Sequence, residues 1–304
     1  MSFSVDTISH LYDFAPHYFE VDGQNYHYLD EGEGDPIVML HGNPSWSFMY
    51  RNLVVDLRES HRIIVPDHIG CGLSDKPSDE HYSYRLEKRV ANLEALLESI
   101  GVDRNITLVV HDWGGPIGMH YASCYPGRVV RFVILNTSSS LLPVGKKLHW
   151  TLRFCRNSSI AAFFILRFNL FAWCAEKIGF RTKASSEEIR RAYRAPYDSW
   201  QNRRAVLRFI QDIPLSPEDF SYKYLNEIKE KFSNFQKTPM LICWGKKDFI
   251  FDTDFFNEWI RCFPQAEAHE FSEAGHYVLE DAYESIIPLI RSFLKNNPII
   301  HYRK

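Results

Sequence analysis

The chain has 304 residues, 45% of them hydrophobic and 24% charged, which suits one large α/β domain with an insertion or two small domains. A formal net charge of −3 leaves no global basic surface, so nothing in the charge points to nucleic acid as a partner. Six scattered cysteines without CxxC or CxxH spacing, and a start (Met1-Ser2-Phe3-Ser4-Val5-Asp6) without a charged and then apolar leader, give the expectation of reduced thiols in the cytoplasm.

Residues 16–32 alternate polar and apolar side chains about Asp22-Gly23, the pattern of a hairpin. Residues 36–40 are a short, wholly apolar run of the kind buried on both faces, and 61–67 repeats it with Ile63, Ile64 and Val65. The runs 106–110, 129–135 and 240–244 follow suit, and 266–271 offers a weaker last strand. Amphipathic stretches at about 46–58, 84–100, 113–125, 253–262 and 281–295 predict helices between them. Strands alternating with helices after an opening hairpin predict a mostly parallel, eight-stranded sheet covered on both faces.

The alternation breaks between about Thr137 and Gln236, where helical patterns replace strands. A helical excursion of that length reads as a cap over the active edge of a sheet, dividing the chain into a core of 1–136, a cap of 137–236 and the rest of the core at 237–304. Within the cap, residues 146–183 hold Lys146, Lys147, Arg153, Arg156, Arg167, Lys177, Arg181 and Lys183 against Glu176 alone, an excess of seven positive charges. Phe154, Ile160, Phe163, Phe164, Ile165, Leu166, Phe168, Leu170, Phe171 and Trp173 lie among them. The expectation is that this apolar face roofs a substrate cavity while the charges meet water. The competing reading is a stretch that lies on a membrane surface or docks a pathway enzyme. Spanning is disfavoured by Arg167 and Asn169, which interrupt a run already short of the ~20 residues a bilayer needs.

The residues that carry chemistry stand at predicted strand ends. In Val109-Val110-His111-Asp112-Trp113-Gly114-Gly115 a β-branched run stops abruptly and two glycines open a helix. That is the strand–nucleophile–helix elbow of an α/β-hydrolase, with a carboxylate where many such enzymes have serine. A carboxylate needs no base to activate it, and its attack on saturated carbon gives an alkyl ester. His276, in Glu273-Ala274-Gly275-His276-Tyr277, follows the last strand and is the candidate general base. Asp248, after Cys243-Trp244-Gly245, is the candidate acid that would orient it, with Asp252 and Asp254 as rivals. The order Asp112, Asp248, His276 is that of α/β-hydrolase triads.

His41-Gly42-Asn43-Pro44 follows a buried strand, so the backbone N–H of Asn43 should stand opposite that of Trp113 as an oxyanion hole. The Asn43 amide and the Trp113 indole are also expected to point into the pocket, two neutral donors suited to a weakly hydrated departing anion. Asp67-His68-Ile69-Gly70-Cys71-Gly72-Leu73-Ser74 lacks the spacing of a nucleotide-binding loop and reads as a tight turn beside the elbow. Alternation along the strand points His111 away from Asp112, into structural support. No metal-ligand spacing is present and no cofactor is implied.

Across nearly its whole length the chain resembles the haloalkane-dehalogenase-like branch of the α/β-hydrolases, through 41–47, 65–74, 110–115 and 275–277. The resemblance implies that Asp112 is the nucleophile, that Asn43 and Trp113 bind the leaving group, and that His276 and Asp248 complete the site. Some members place a Glu after the sixth strand instead. Leu135-Asn136-Thr137 has no carboxylate there, which favours Asp248. Asp75-Lys76-Pro77, Ala195-Pro196-Tyr197-Asp198-Ser199-Trp200, Gln211-Asp212-Ile213-Pro214-Leu215 and Leu241-Ile242-Cys243-Trp244-Gly245 look more closely like the β-lactone decarboxylases of long-chain olefin biosynthesis. That resemblance implies an apolar small-molecule substrate, a cis-3,4-dialkyl-β-lactone opened to a cis-alkene and carbon dioxide. Attack at the ring carbon bearing oxygen and attack at the carbonyl both remain open. Haloalkane hydrolysis is the second reading. Epoxide hydrolysis, which would need acids such as Tyr193 and Tyr197, is disfavoured by an Asn43 side chain in the pocket.

Overall fold

A computed structural model describes residues 4–181 and 186–300; Met1, Ser2 and Phe3 of the amino terminus and Lys183 of the basic stretch lie outside the described residues. Eight strands form one sheet: β1 (His17–Val21), β2 (Gln24–Glu31), β3 (Pro36–Leu40), β4 (Arg62–Pro66), β5 (Ile106–Asp112), β6 (Val129–Thr137), β7 (Met240–Gly245) and β8 (Glu267–Phe271). Their order is β1-β2-β4-β3-β5-β6-β7-β8, antiparallel at β1–β2 and β2–β4 and parallel beyond. Asp22 and Gly23 make the two-residue turn between β1 and β2, both with positive φ (52° and 70°), as such hairpins require. Strand β8 carries Glu267, His269 and Glu270 on a mostly exposed edge, which discourages further pairing.

The chain steps from β3 to β4 on one side and returns to β5 on the other. That reversal opens a crevice at the carboxyl ends of β3 and β5. Central strands send alternate side chains into two layers. Val38, Leu40, Leu108 and Val110 join one core with α2 (Leu86–Ser99), α3 (Gly114–Cys124) and α10 (Thr253–Cys262). Ile37, Met39 and Val109 join the other with α1 (Arg51–Leu57), α11 (Val278–Asp281) and α12 (Tyr283–Asn296).

One predicted helix is broken in the structure. The stretch expected at 46–58 begins as a 3-10 turn, Ser47–Tyr50, because Asp67 Oδ1 takes the Ser47 N–H at 2.6 Å and fixes the chain before α1. The last predicted helix stands as α12, and an additional single turn, α11, precedes it under the His276 loop, set apart at Ala282 (φ −142°).

Between β6 and β7 the described residues are helical: α4 (Trp150–Asn157), α5 (Ser159–Phe168), α6 (Leu170–Gly179), α7 (Glu187–Arg194), α8 (Arg204–Gln211) and α9 (Tyr222–Glu230). Although α9 falls inside the 137–236 excursion, its Tyr224, Leu225 and Ile228 pack with α3 in the core. The layer over the site is α4 to α8. Among the described residues no single helix is long and apolar enough to cross a membrane.

Candidate active site

Asp112 ends β5 with φ at +50°, a left-handed turn that aims its side chain across the carboxyl edge. Close packing enforces the turn. A Cβ on Gly114 would lie 1.9 Å from the Leu40 carbonyl oxygen, and one on Gly115 1.9 Å from Thr137 Oγ1. Thr137 donates its hydroxyl to the Asp112 carbonyl. Across the crevice, a Cβ on Gly42 would lie 2.0 Å from Asp112 Oδ1, so only glycine lets the β3 loop approach the carboxylate.

That approach brings the Asn43 backbone N–H to 2.6 Å from Asp112 Oδ1. Oδ2 faces His276, whose Nε2 is 4.0 Å away. His276 Nδ1 is 2.8 Å from Asp248 Oδ2, and Asp248 Oδ1 accepts the N–H groups of Ile250 and Phe251. Burial pushes Asp112 up to about 6, although the His276 charge and the N–H groups of Asn43 and Trp113 oppose it. Burial pulls His276 down, but the carboxylates of Asp248 and Asp112 outweigh it and hold the imidazole above its usual range. The structure thus brings Asp112, Asp248, His276 and the Asn43 loop together. Asp252 instead caps α10 through the Asp254 N–H, and both carboxylates pair with Lys146 at 2.6 and 2.7 Å.

Trp113 and Asn43 both line the cavity over Asp112. Sequence led to an Asn43 amide free to point into the pocket; in the structure its Nδ2 donates to the Val206 carbonyl of α8 at 3.1 Å, leaving one N–H uncommitted. The Trp113 ring leans on Phe209, which also carries the Arg89 guanidinium 3.6 Å from its ring centre.

Three supports stand behind these groups: His111 and the 67–74 turn, both expected from sequence, and Asn136, whose role sequence reasoning missed. Asn136, also at positive φ (29°), donates Nδ2 to the Gly245 carbonyl and to Asp248 Oδ2, and accepts the Gly245 N–H at 2.7 Å. The available signal was an amide directly after a buried strand, where only the lack of a carboxylate had been noticed. His111 points away from the Asp112 carboxylate, and its Nε2–H donates to the His276 carbonyl at 2.8 Å. Burial and the neighbouring His276 push its pKa well down, so it serves as a neutral donor. Asp67 accepts from Ser47 and Leu73 N–H groups and pairs with His27 at 2.8 Å, while the His68 N–H donates to His41 Nε2. The 67–74 turn therefore props the loop that carries Asn43.

The cavity has an empty volume of about 1000 Å³, its mouth included. Its wall is mostly apolar, with Leu152, Phe171, Ile210, Ile213, Leu225 and Phe255 above and beside Asp112. Lys146, Lys147, His149 and Asp252 also line it. Tyr193 gives its hydroxyl to Glu280 and Tyr197 gives its own to the Ser45 carbonyl, and neither lines the cavity. The aromatic stretch corrects an expectation. Of its ten apolar side chains Phe171 alone lines the cavity, because Ile165 and the small Ala161 and Ala172 take the buried positions of α5 and α6. Among the described residues no group of His, Cys, Asp or Glu is arranged to hold a metal ion.

Sheet order, elbow and cap together define an α/β-hydrolase, and the model of the α/β hydrolase fold family matches residues 35–283. The chain is 50% identical over 284 residues to the cis-3-alkyl-4-alkyloxetan-2-one decarboxylase of Shewanella oneidensis, covering 93% of this chain and 89% of that one. The enzyme of the same name from Xanthomonas campestris is 44% identical, with 95% and 98% covered. Haloalkane dehalogenase 2 of Mycobacterium tuberculosis is 31% identical, with 92% and 95% covered. Among solved structures, the haloalkane dehalogenase DatA of Agrobacterium tumefaciens superposes with a TM-score of 0.83 at 25% identity, covering 95% of this chain and 99% of that one. The chain belongs to the α/β-hydrolase fold family and, within it, to the haloalkane dehalogenase-like group that includes the cis-3-alkyl-4-alkyloxetan-2-one decarboxylases.

Proposed function

We propose that this protein is an enzyme that converts cis-3,4-dialkyl-β-lactones (oxetan-2-ones) into cis-alkenes and carbon dioxide, with Asp112 as nucleophile. The observation that carries the reading is a desolvated carboxylate, held by backbone N–H groups, at the floor of an apolar cavity in a chain half identical to an enzyme of that name. Asp112 Oδ1 is bound by the Asn43 N–H, so Oδ2 is the free nucleophile. Because the Asn43 N–H serves Oδ1 and the Trp113 N–H also bonds the Asp112 carboxylate, they are not free to receive an oxyanion formed on the lactone carbonyl. This favours attack at the ring carbon bearing oxygen.

Oδ2 then bonds to that carbon as the ring C–O bond breaks, and the electron pair leaves on the oxygen of a new carboxylate. The remaining Asn43 amide N–H and the Trp113 indole would receive it. Next the bond between that carboxylate and its carbon breaks, its electrons form the alkene, and the ester bond to Asp112 breaks to restore the enzyme. Inversion on attack followed by anti elimination returns the cis geometry. No water is consumed. His276, oriented by Asp248, would act by holding positive charge beside Asp112. In haloalkane hydrolysis it would instead remove a proton from water to release the ester. Six free cysteines suit the reducing cytoplasm, where a pathway to long-chain olefins would use such an enzyme.

The test is to incubate purified protein with a synthetic cis-β-lactone and measure alkene and carbon dioxide in the headspace. Equal amounts of both, absent with Asp112→Asn, are expected. Halide release from short bromoalkanes without any carbon dioxide from the lactone would replace this reading with haloalkane hydrolysis.

A further inference from the structure

The cap carries a surface that the reaction does not use. Helices α5 and α6 are ten residues each and meet at Asn169, whose left-handed backbone (φ 55°) turns one 82° from the other. The outside of that corner is apolar. Ile160, Phe163 and Phe168 are 65%, 57% and 61% exposed, and Phe164, Leu170 and Trp173 are exposed beside them. The rings of Phe163, Phe164 and Phe168 touch one another, with centroids 5.6 to 6.0 Å apart, so they form one cluster. Trp150 and Phe154 extend it along α4. A contiguous exposed apolar patch of this kind marks an interaction site.

Its surroundings are cationic. Arg153, Arg167, Lys177 and Arg181 are exposed. The one acid of residues 146–181, Glu176, is buried, with its carboxylate 2.5 Å from Arg194. We propose that this corner docks on an anionic phospholipid membrane. The phenylalanines would enter the headgroup–acyl boundary, and the Arg and Lys side chains would reach lipid phosphates. Three features favour lipid over a protein partner. Protein interfaces are depleted in charge around their apolar centre, whereas this patch sets exposed Arg153, Arg167 and Arg181 beside its exposed phenylalanines. Exposed Trp150 and Trp173 suit the headgroup level. Finally, Leu152 of α4 and Phe171 of α6 turn inward to line the cavity, so the patch and the site share helices. This last feature rests on the function proposed above, since a lactone with two long alkyl arms partitions into lipid. Two ten-residue helices at 82° lie on a bilayer rather than span it.

Co-sedimentation of the full chain with phosphatidylglycerol–phosphatidylcholine vesicles, against pure phosphatidylcholine, tests the proposal. Wild type should sediment with the anionic vesicles and be released by salt. The variant carrying Phe163→Ser, Phe164→Ser and Phe168→Ser should lose binding by about tenfold or more, and Arg153→Glu with Arg167→Glu by a similar factor. No binding by wild type, or undiminished binding by both variants, overturns the proposal. So does a patch variant that converts an oligomer to a monomer while wild type ignores vesicles, which would make the face an interface between copies. Turnover of a short, water-soluble cis-β-lactone should be unchanged in the Phe variant. Absence of that turnover in wild type would strike the function and leave the vesicle result to decide the docking.

Discussion

The two walls of the cavity are built from different materials. On the sheet side, each reactive group is held by hydrogen bonds from other loops: Asp112 by Asn43, Asp248 by Ile250, Phe251 and Asn136, and His276 by Asp248 and, at its carbonyl, by His111. On the cap side, Leu152, Phe171 and Ile210 offer apolar surface, and the Asn43–Val206 and Tyr197–Ser45 bonds tie cap to core. The contrast follows from what each wall must do. Chemistry needs groups fixed to within fractions of an ångström, and buried polar networks supply that. Alkyl chains need only a dry surface of suitable shape. The sheet side should therefore set whether a bond is made, and the cap side which molecule is admitted.

The largest break in that contrast comes from the nucleophile. Asp112→Asn should lower lactone turnover by about 10⁴-fold or more, measured as carbon dioxide release. The same change should stabilise the protein. Asp112 lies at about 6 in the fold against 3.8 when unperturbed, so its burial costs nothing in acid, where it is protonated. The cost builds as pH rises from the unfolded value of 3.8 to the folded value of about 6, and stays at about 3 kcal/mol from there to pH 8. Urea unfolding should thus show Asp112→Asn more stable than wild type at pH 8 and nearly equal at pH 4. Equal gains at both would mean that charge burial is not the cause. In wild type, kcat/KM should fall as pH drops below about 6, because protonated Asp112 is no nucleophile.

A smaller effect separates the two readings of His276. Its charge holds Asp112 down, so His276→Ala should move the acidic limb of the pH profile upward and cut turnover at pH 7 by about 10²-fold. Each remaining turnover should still yield alkene and carbon dioxide, since elimination needs no base for water. A single burst followed by an enzyme-bound ester, seen by mass spectrometry, would show that water must cleave the ester and would sink the elimination route. Smaller still is Asn136→Ala. It strips the Gly245 N–H, the Gly245 carbonyl and Asp248 Oδ2 of a partner, so it should cost about 2 kcal/mol in stability and about tenfold in kcat, with KM unmoved.

The same contrast explains which parts could be read from sequence. Strand cores were legible because burial on both faces leaves unbroken apolar runs such as 36–40 and 240–244. The elbow was legible because an abrupt reversal demands two glycines after Asp112. Asn136 was not, since its value lies in bonds to Gly245 and Asp248, more than a hundred residues away. Nor was the side of the cap that faces solvent. Helices α5 and α6 are apolar around most of their circumference, and periodicity cannot choose an inward face when nearly every position would qualify.

The cap wall itself gives the smallest and most selective effect. Phe171 is half-buried and faces the cavity from α6, so added bulk there can grow into empty space instead of into packed core. Phe171→Trp should leave turnover of a short-chain cis-lactone within about twofold of wild type while lowering kcat/KM for a long-chain one by about tenfold. Competition between the two lactones in one reaction vessel measures the ratio directly and cancels errors in enzyme concentration. An equal loss on both substrates would show that the cap reaches the reacting atoms, and the division of labour between the walls would fail.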